Sequence, residues 1–221
     1  MKLLLNAIIK FIFGLILVVA LIFIPAGSLD YINGWLFITL LFVPILLLGI
    51  VMFIKAPNLL KERLDGKEKE STQKGVLLVS GLAFLAGFIV AGLDHRFTWS
   101  RVPSLVVIAA SILFLLSYAL YCEVMRENSY LSRTVKVQEG QRVVDSGLYG
   151  IVRHPMYMAT IVLFLMIPLI LGSIYALIPF FSYPIVIVIR ILNEEKVLTE
   201  QLEGYSEYKK KVKYRLIPFI W

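Results

Sequence analysis

The sequence predicts an all-α, polytopic integral membrane protein with about six transmembrane segments, the last two forming a short helical hairpin. Three observations lead there. The chain has 221 residues, of which 59% are hydrophobic and 17% charged, with a mean hydropathy of +0.85. A soluble domain of this length has too little interior to hide that much apolar surface. The apolar residues also fall in long blocks, as a hydrocarbon layer about 30 Å thick demands of a helix. Finally, the basic residues gather in alternate connections.

Four apolar blocks are long enough to span: about 3–24, 35–54, 76–93 and 102–122. The run Phe11 to Ile24 could be read as a signal peptide. It is long, lacks a clear small-residue cleavage site and is followed by further spans, so a first membrane helix is expected. A fifth block, 156–192, is too long for one straight helix and holds Pro168, Gly172, Pro179 and Pro184. Proline removes a backbone donor and glycine permits a turn, so two shorter helices turning near Gly172-Ser173 are expected.

With six spans, all but two of the 22 Lys and Arg residues fall on one side of the membrane. Arg96 and Arg101 are the exceptions. The positive-inside rule then puts both termini in the cytoplasm. The formal charge of +7 is placed to face anionic lipid headgroups, and no nucleic-acid partner is expected. Cys122 is the single cysteine, so no intramolecular disulfide or thiolate metal cluster can form, and a packing role is expected. Only His95 and His154 could add imidazole ligands, and the topology puts them on opposite faces, so no metal is expected. His95, with Asp94 and Arg96, reads as an ordinary loop cluster. Connection 55–75 mixes six basic residues with Glu62, Asp65, Glu68 and Glu70. It reads as a solvated connector, with room for a short interfacial helix and no chemistry of its own.

Three stretches at the cytoplasmic face could carry chemistry. Ser146-Gly147 begins a turn that leads through Tyr149 to Arg153-His154-Pro155-Met156-Tyr157, with the proline placed to start a helix. The plain alternative is an interfacial belt, with arginine on phosphates and tyrosine at headgroup level. Next come Arg190 and Glu194, four residues apart and so on one helix face. An arginine closing so apolar a helix faces an interior or cavity, unless it snorkels beside a surface glutamate. The third stretch, Gly204 to Phe219, interleaves basic and aromatic residues as an interfacial segment does.

Taken together, Arg153-His154-Pro155-Met156-Tyr157, then Glu194-Glu195-Lys196-Val197-Leu198, then Gly204 through Pro218 resemble the isoprenylcysteine carboxyl methyltransferase family, which is related to the phospholipid methyltransferases. The resemblance covers roughly residues 115–221 and suggests a prokaryotic-type member. It implies an S-adenosyl-L-methionine-dependent methyltransferase with a cofactor site at the cytoplasmic ends of the last helices. The chain lacks the strand–glycine loop–helix unit of soluble Rossmann methyltransferases. Carried over by position, the cofactor contacts are Gln141, Arg142, Val143, Val144, Tyr149, His154, Pro155, Tyr157 and Glu194, and the substrate-binding arginine is Arg190. Arg190 and Glu194 are the candidate catalytic residues. Gln141 departs from the pattern, since well-studied members have histidine there, which weakens the transfer of 141–144.

The residue types suit that chemistry. In-line methyl transfer asks the protein to hold donor and acceptor a little over roughly 3 Å apart. Glu194 can hold a cationic cofactor, the tyrosines offer π-faces, and the Arg190 fork suits a carboxylate. The implied acceptor is a lipophilic or lipidated carboxylate reached sideways from the bilayer, with membrane lipids as surroundings. A phospholipid amine is the alternative and would need a base, for which Glu194 or Glu195 would serve. Membrane sterol reductases, which use NADPH, share a related Arg-x-x-Tyr element but typically carry Arg-Asp and a cysteine where this chain has Glu194-Glu195. A non-enzymatic scaffold is the remaining option. Residues 1–100 are expected to be membrane helices with a cytoplasmic connection, and 101–221 the methyltransferase-like core.

Overall fold

A computed structural model describes residues 2–65 and 71–221. Residues 66–70, with Lys67, Glu68, Lys69 and Glu70 of the expected connector, lie outside the described residues. The described residues form helices and connections without a strand: α1 (Lys2–Ala26), α2 (Ile32–Lys55), α3 (Pro57–Leu64), α4 (Ser71–Phe97), α5 (Ser104–Glu127), α6 (Pro155–Ile170), α7 (Leu177–Phe180), α8 (Ser182–Gln201) and α9 (Tyr205–Lys211). Helices α1, α2, α4 and α5 and the stretch Leu177–Gln201 are long and apolar enough to cross a membrane, and α6 is a shorter apolar helix. Their outward faces are apolar: Phe13 is 67% exposed and Leu105 77%. Such faces are stable against lipid rather than water.

The hairpin forms where expected. Pro155 opens α6, Pro168 stands in its last turn, and the chain reverses over 171–176 before α7 and α8. Helix α8 runs on to Gln201, well past the end of the apolar block at 192. Helix α1 packs along α4, α4 along α8, and α5 along α6. A Cβ added to Gly92 would stand 2.5 Å from the Ile22 carbonyl oxygen, so α1 and α4 approach closely because that residue is small. Aromatic edges fill the centre: Phe84 meets Phe164 at 4.7 Å and Phe180 at 5.4 Å, both T-shaped.

The two ends of the bundle differ. At one end, Asp94 is buried, not the loop residue expected, because α4 continues to Phe97. Its carboxylate accepts from the Ser100 amide at 2.7 Å, the Ser100 hydroxyl at 2.6 Å and the Ser173 hydroxyl. This fastens the hairpin turn to α4. Tyr31 stacks on His95 beside it, with centroids 4.0 Å apart. At the other end, Leu3 packs with Met52, Leu59, Leu60 and Met125, and the irregular segment 128–154 and the C-terminal tail gather there. The start of α1 and the C-terminal tail thus lie at one end of the bundle; of the six expected segments, five are long enough to cross a membrane, and α6 is shorter at 16 residues.

Candidate functional site

The polar segment after α5 is held by turns rather than by regular structure. Gln141 closes one, its side-chain oxygen accepting the Gln138 amide at 2.8 Å. Val143 packs on Leu202, Tyr205, Tyr208 and Val212, beyond the end of α8. Gly147 starts the 3-10 turn Gly147–Gly150 at φ +56°. A Cβ there would stand 2.1 Å from a carboxylate oxygen of Glu127, whose other oxygen accepts the Leu148 amide at 2.9 Å. Only glycine combines that conformation with that approach.

Arg153 and His154 are buried, which rules out the interfacial-belt reading for the arginine. Their amides donate to Tyr214 and Arg215 carbonyls at 2.9 and 2.8 Å, stitching the tail to the start of α6. The Arg153 guanidinium donates to the Val212 and Lys213 carbonyls and, at 2.7 Å, to Glu195. Glu195 also meets His154 Nε2 at 3.3 Å and Arg215 at 3.0 Å. This carboxylate is a structural hub. Engaged with three partners, it is poorly placed to serve as the base that an amine acceptor would need.

Glu194, one residue earlier, faces a different space. It lines a cleft, partly open to solvent, bounded by segment 128–144, the start of α6, α8 and α9. Gln141, Arg142, Val143, Val144, Tyr149, His154, Tyr157, Arg190 and Glu194 all line it. Pro155 does not. It is buried as the first residue of α6 and sets where that helix begins. The Tyr157 hydroxyl donates to Glu194 and accepts from Arg190 Nε at 2.8 Å. Arg190, 9% exposed, donates also to the Arg133 carbonyl at 2.7 Å. It faces inward, as its cost in hydrocarbon requires, and does not snorkel.

Sequence reading missed several wall residues. Tyr205 and Tyr208 belong to the stretch read as an interfacial segment, yet they are 4% and 5% exposed and line the cavity. Their spacing of three, with Lys209, Lys210 and Lys211 following, was the available signal for one aromatic and one basic face on α9. Burial holds both phenols above their usual range, hence neutral. The Tyr208 hydroxyl donates to the Tyr149 carbonyl at 2.7 Å, whereas the buried Tyr205 hydroxyl has no hydrogen-bond partner among the described residues. Arg63 of α3 was also missed. It touches the cavity-lining Ser132 and Met156, so the connection read as plain solvated linker reaches the site.

Residues 105–200, a little under half of the chain, match the model of the Isoprenylcysteine carboxyl methyltransferase (ICMT) family. The match supports an ICMT-family assignment. It begins in α5, ends in α8 and contains every site residue carried over by resemblance. The ICMT family implies a membrane methyltransferase, and the apolar helices agree with an integral membrane protein.

Proposed function

We propose that this ICMT-family chain uses S-adenosyl-L-methionine to methylate a carboxylate on a lipophilic, membrane-embedded acceptor, with residues 101–221 as the catalytic core. The observation that carries the reading is the junction at Tyr157. There one hydroxyl joins the Glu194 carboxylate to the Arg190 guanidinium on the wall of a single cavity. Such a site has an anionic place for a cation and, next to it, a cationic place for an anion.

The residues fit the cofactor. Glu194 would hold its positive charge, Tyr149 and Tyr205 would flank it, and the unpartnered Tyr205 hydroxyl is a buried group that a polar ligand would satisfy. When bound, S-adenosyl-L-methionine supplies a methyl group on a sulfonium. Arg190 would hold the acceptor carboxylate through its planar fork. Tyr157 keeps Arg190 and Glu194 apart and in register, so the two ligand charges meet without the side chains collapsing together. A carboxylate needs no general base, which agrees with the engagement of Glu195 by three partners and favours O- over N-methylation. The basic end of the bundle, with the site and both termini, would face the cytoplasm.

Calorimetric titration of detergent-purified protein with S-adenosyl-L-methionine and with NADPH tests this. Saturable binding of the first is expected, weakened about tenfold or more in Glu194→Ala by loss of a charge-assisted contact, with the melting temperature little changed. Binding of NADPH alone would overturn the reading.

A further inference from the structure

The acceptor side of the cavity holds more positive charge than its carboxylates balance. Glu194 is joined to Arg190 through Tyr157, and Glu62 is paired with Lys136 at 2.6 Å. Arg63, from α3, has no ion-pair partner among the described residues. Its guanidinium makes only long contacts, 3.5 Å to the Ser132 carbonyl and 3.7 Å to the Met156 sulfur, and lies 5.3 Å from the centre of the Tyr121 ring. Burial, with the charges of Arg133 and Arg190 nearby, pulls its pKa down to about 10, so it is cationic at neutral pH. A desolvated cation set beside other cations is costly unless an anion joins it.

We infer that Arg63 is a specificity residue, a second guanidinium that with Arg190 selects an anionic acceptor head from the membrane. The inference rests on the carboxylate reading above. It adds a contact from outside the family-matched segment. Met156 lines the cavity and touches Arg63, and its unbranched side chain can give way as the acceptor seats. Glu62–Lys136 fastens α3 to segment 128–144, holding Arg63 against the cavity wall. Charge also provides for release. Methylation turns the anionic carboxylate into a neutral ester, which neither guanidinium holds.

The test compares equilibrium binding of an S-prenylated cysteine carboxylate and of its methyl ester to the purified full chain, without turnover. The wild type should favour the carboxylate by about tenfold or more, as for a charge-assisted contact. Arg63→Ala should narrow the gap between the two affinities, leaving the share that Arg190 provides, with S-adenosyl-L-methionine affinity unchanged. Arg63→Lys, which keeps charge and much of the packing, should retain part of the preference. A preference undiminished in Arg63→Ala, or lost equally in Arg63→Lys and Arg63→Met with S-adenosyl-L-methionine affinity falling alongside, would overturn the role for Arg63. The absence of any carboxylate preference in the wild type would overturn it too. Failure of the function itself is read separately, as S-adenosyl-L-methionine binding lost or methyl ester never formed by the wild type.

Discussion

Adjacent glutamates on α8 do different work because a helix turns about 100° per residue. Glu195 points into the tail and is caged by Arg153, His154 and Arg215, whereas Glu194 opens onto the cavity. The cage is a stability device. Arg153→Ala would leave Glu195 short of its closest partner in a buried setting and free two tail carbonyls. Removing one member of such a pair costs about 3–5 kcal/mol. Chemical denaturation of the variant in detergent should show a loss of that order, with the C-terminal tail becoming more sensitive to protease. Glu194→Ala should show neither effect. The Glu-Glu pair was legible in the sequence. So was the choice of Glu194, which shares a helix face with Arg190 four residues earlier and lines the cavity with it; the caging of Glu195 was not, because its partners come from residues 153, 154 and 215, distant along the chain.

Among the elements, the turn at 146–150 shows how a short connection can set a site. It positions Tyr149 on the cavity wall and receives the Tyr208 hydroxyl, and its geometry depends on Gly147 sitting against Glu127. Gly147→Ala should destabilise the protein by about 1–3 kcal/mol, since a side chain at positive φ is strained, and Glu127 must also withdraw. In an Glu127→Ala background the same substitution should cost less, the contact term being gone. Thermal melts of the four proteins in this cycle measure the difference. Serine and glycine announced a turn here. The contact with the end of α5 did not show, because a helix end twenty residues away leaves no local pattern. The helical hairpin was more legible, since proline and glycine act on their own backbone. The length of α8 was less so: hydropathy marks where lipid ends, whereas the helix continues into protein contacts.

For the whole molecule, the end-to-end asymmetry has a direct consequence. The site, both termini and α3 lie at one end, and the Asp94–Ser173 latch with Arg101 lies at the other. In a Cys122→Ser background, single cysteines at positions 2 and 142 should react with a membrane-impermeant thiol reagent from one side of sealed vesicles. A cysteine at position 101 should react only from the opposite side. Labelling of positions 2 and 142 from opposite sides would contradict the arrangement.

By itself, the sequence determined that the chain is an all-helical membrane protein, where its apolar segments lie, where the last pair turns, and which motif residues gather at the basic end. Those features follow from hydropathy, charge placement and the backbone limits of proline and glycine, all of them local. Tertiary structure decided that Arg190 reaches Glu194 through Tyr157, that Glu195 is caged, that the tail tyrosines wall the cavity, and that Arg63 comes to it from α3. Each of these joins residues far apart in the chain; the junction at Tyr157 and the cage around Glu195 rest on the cost of leaving a buried charge or hydroxyl without a partner, which is settled only once the helices have packed.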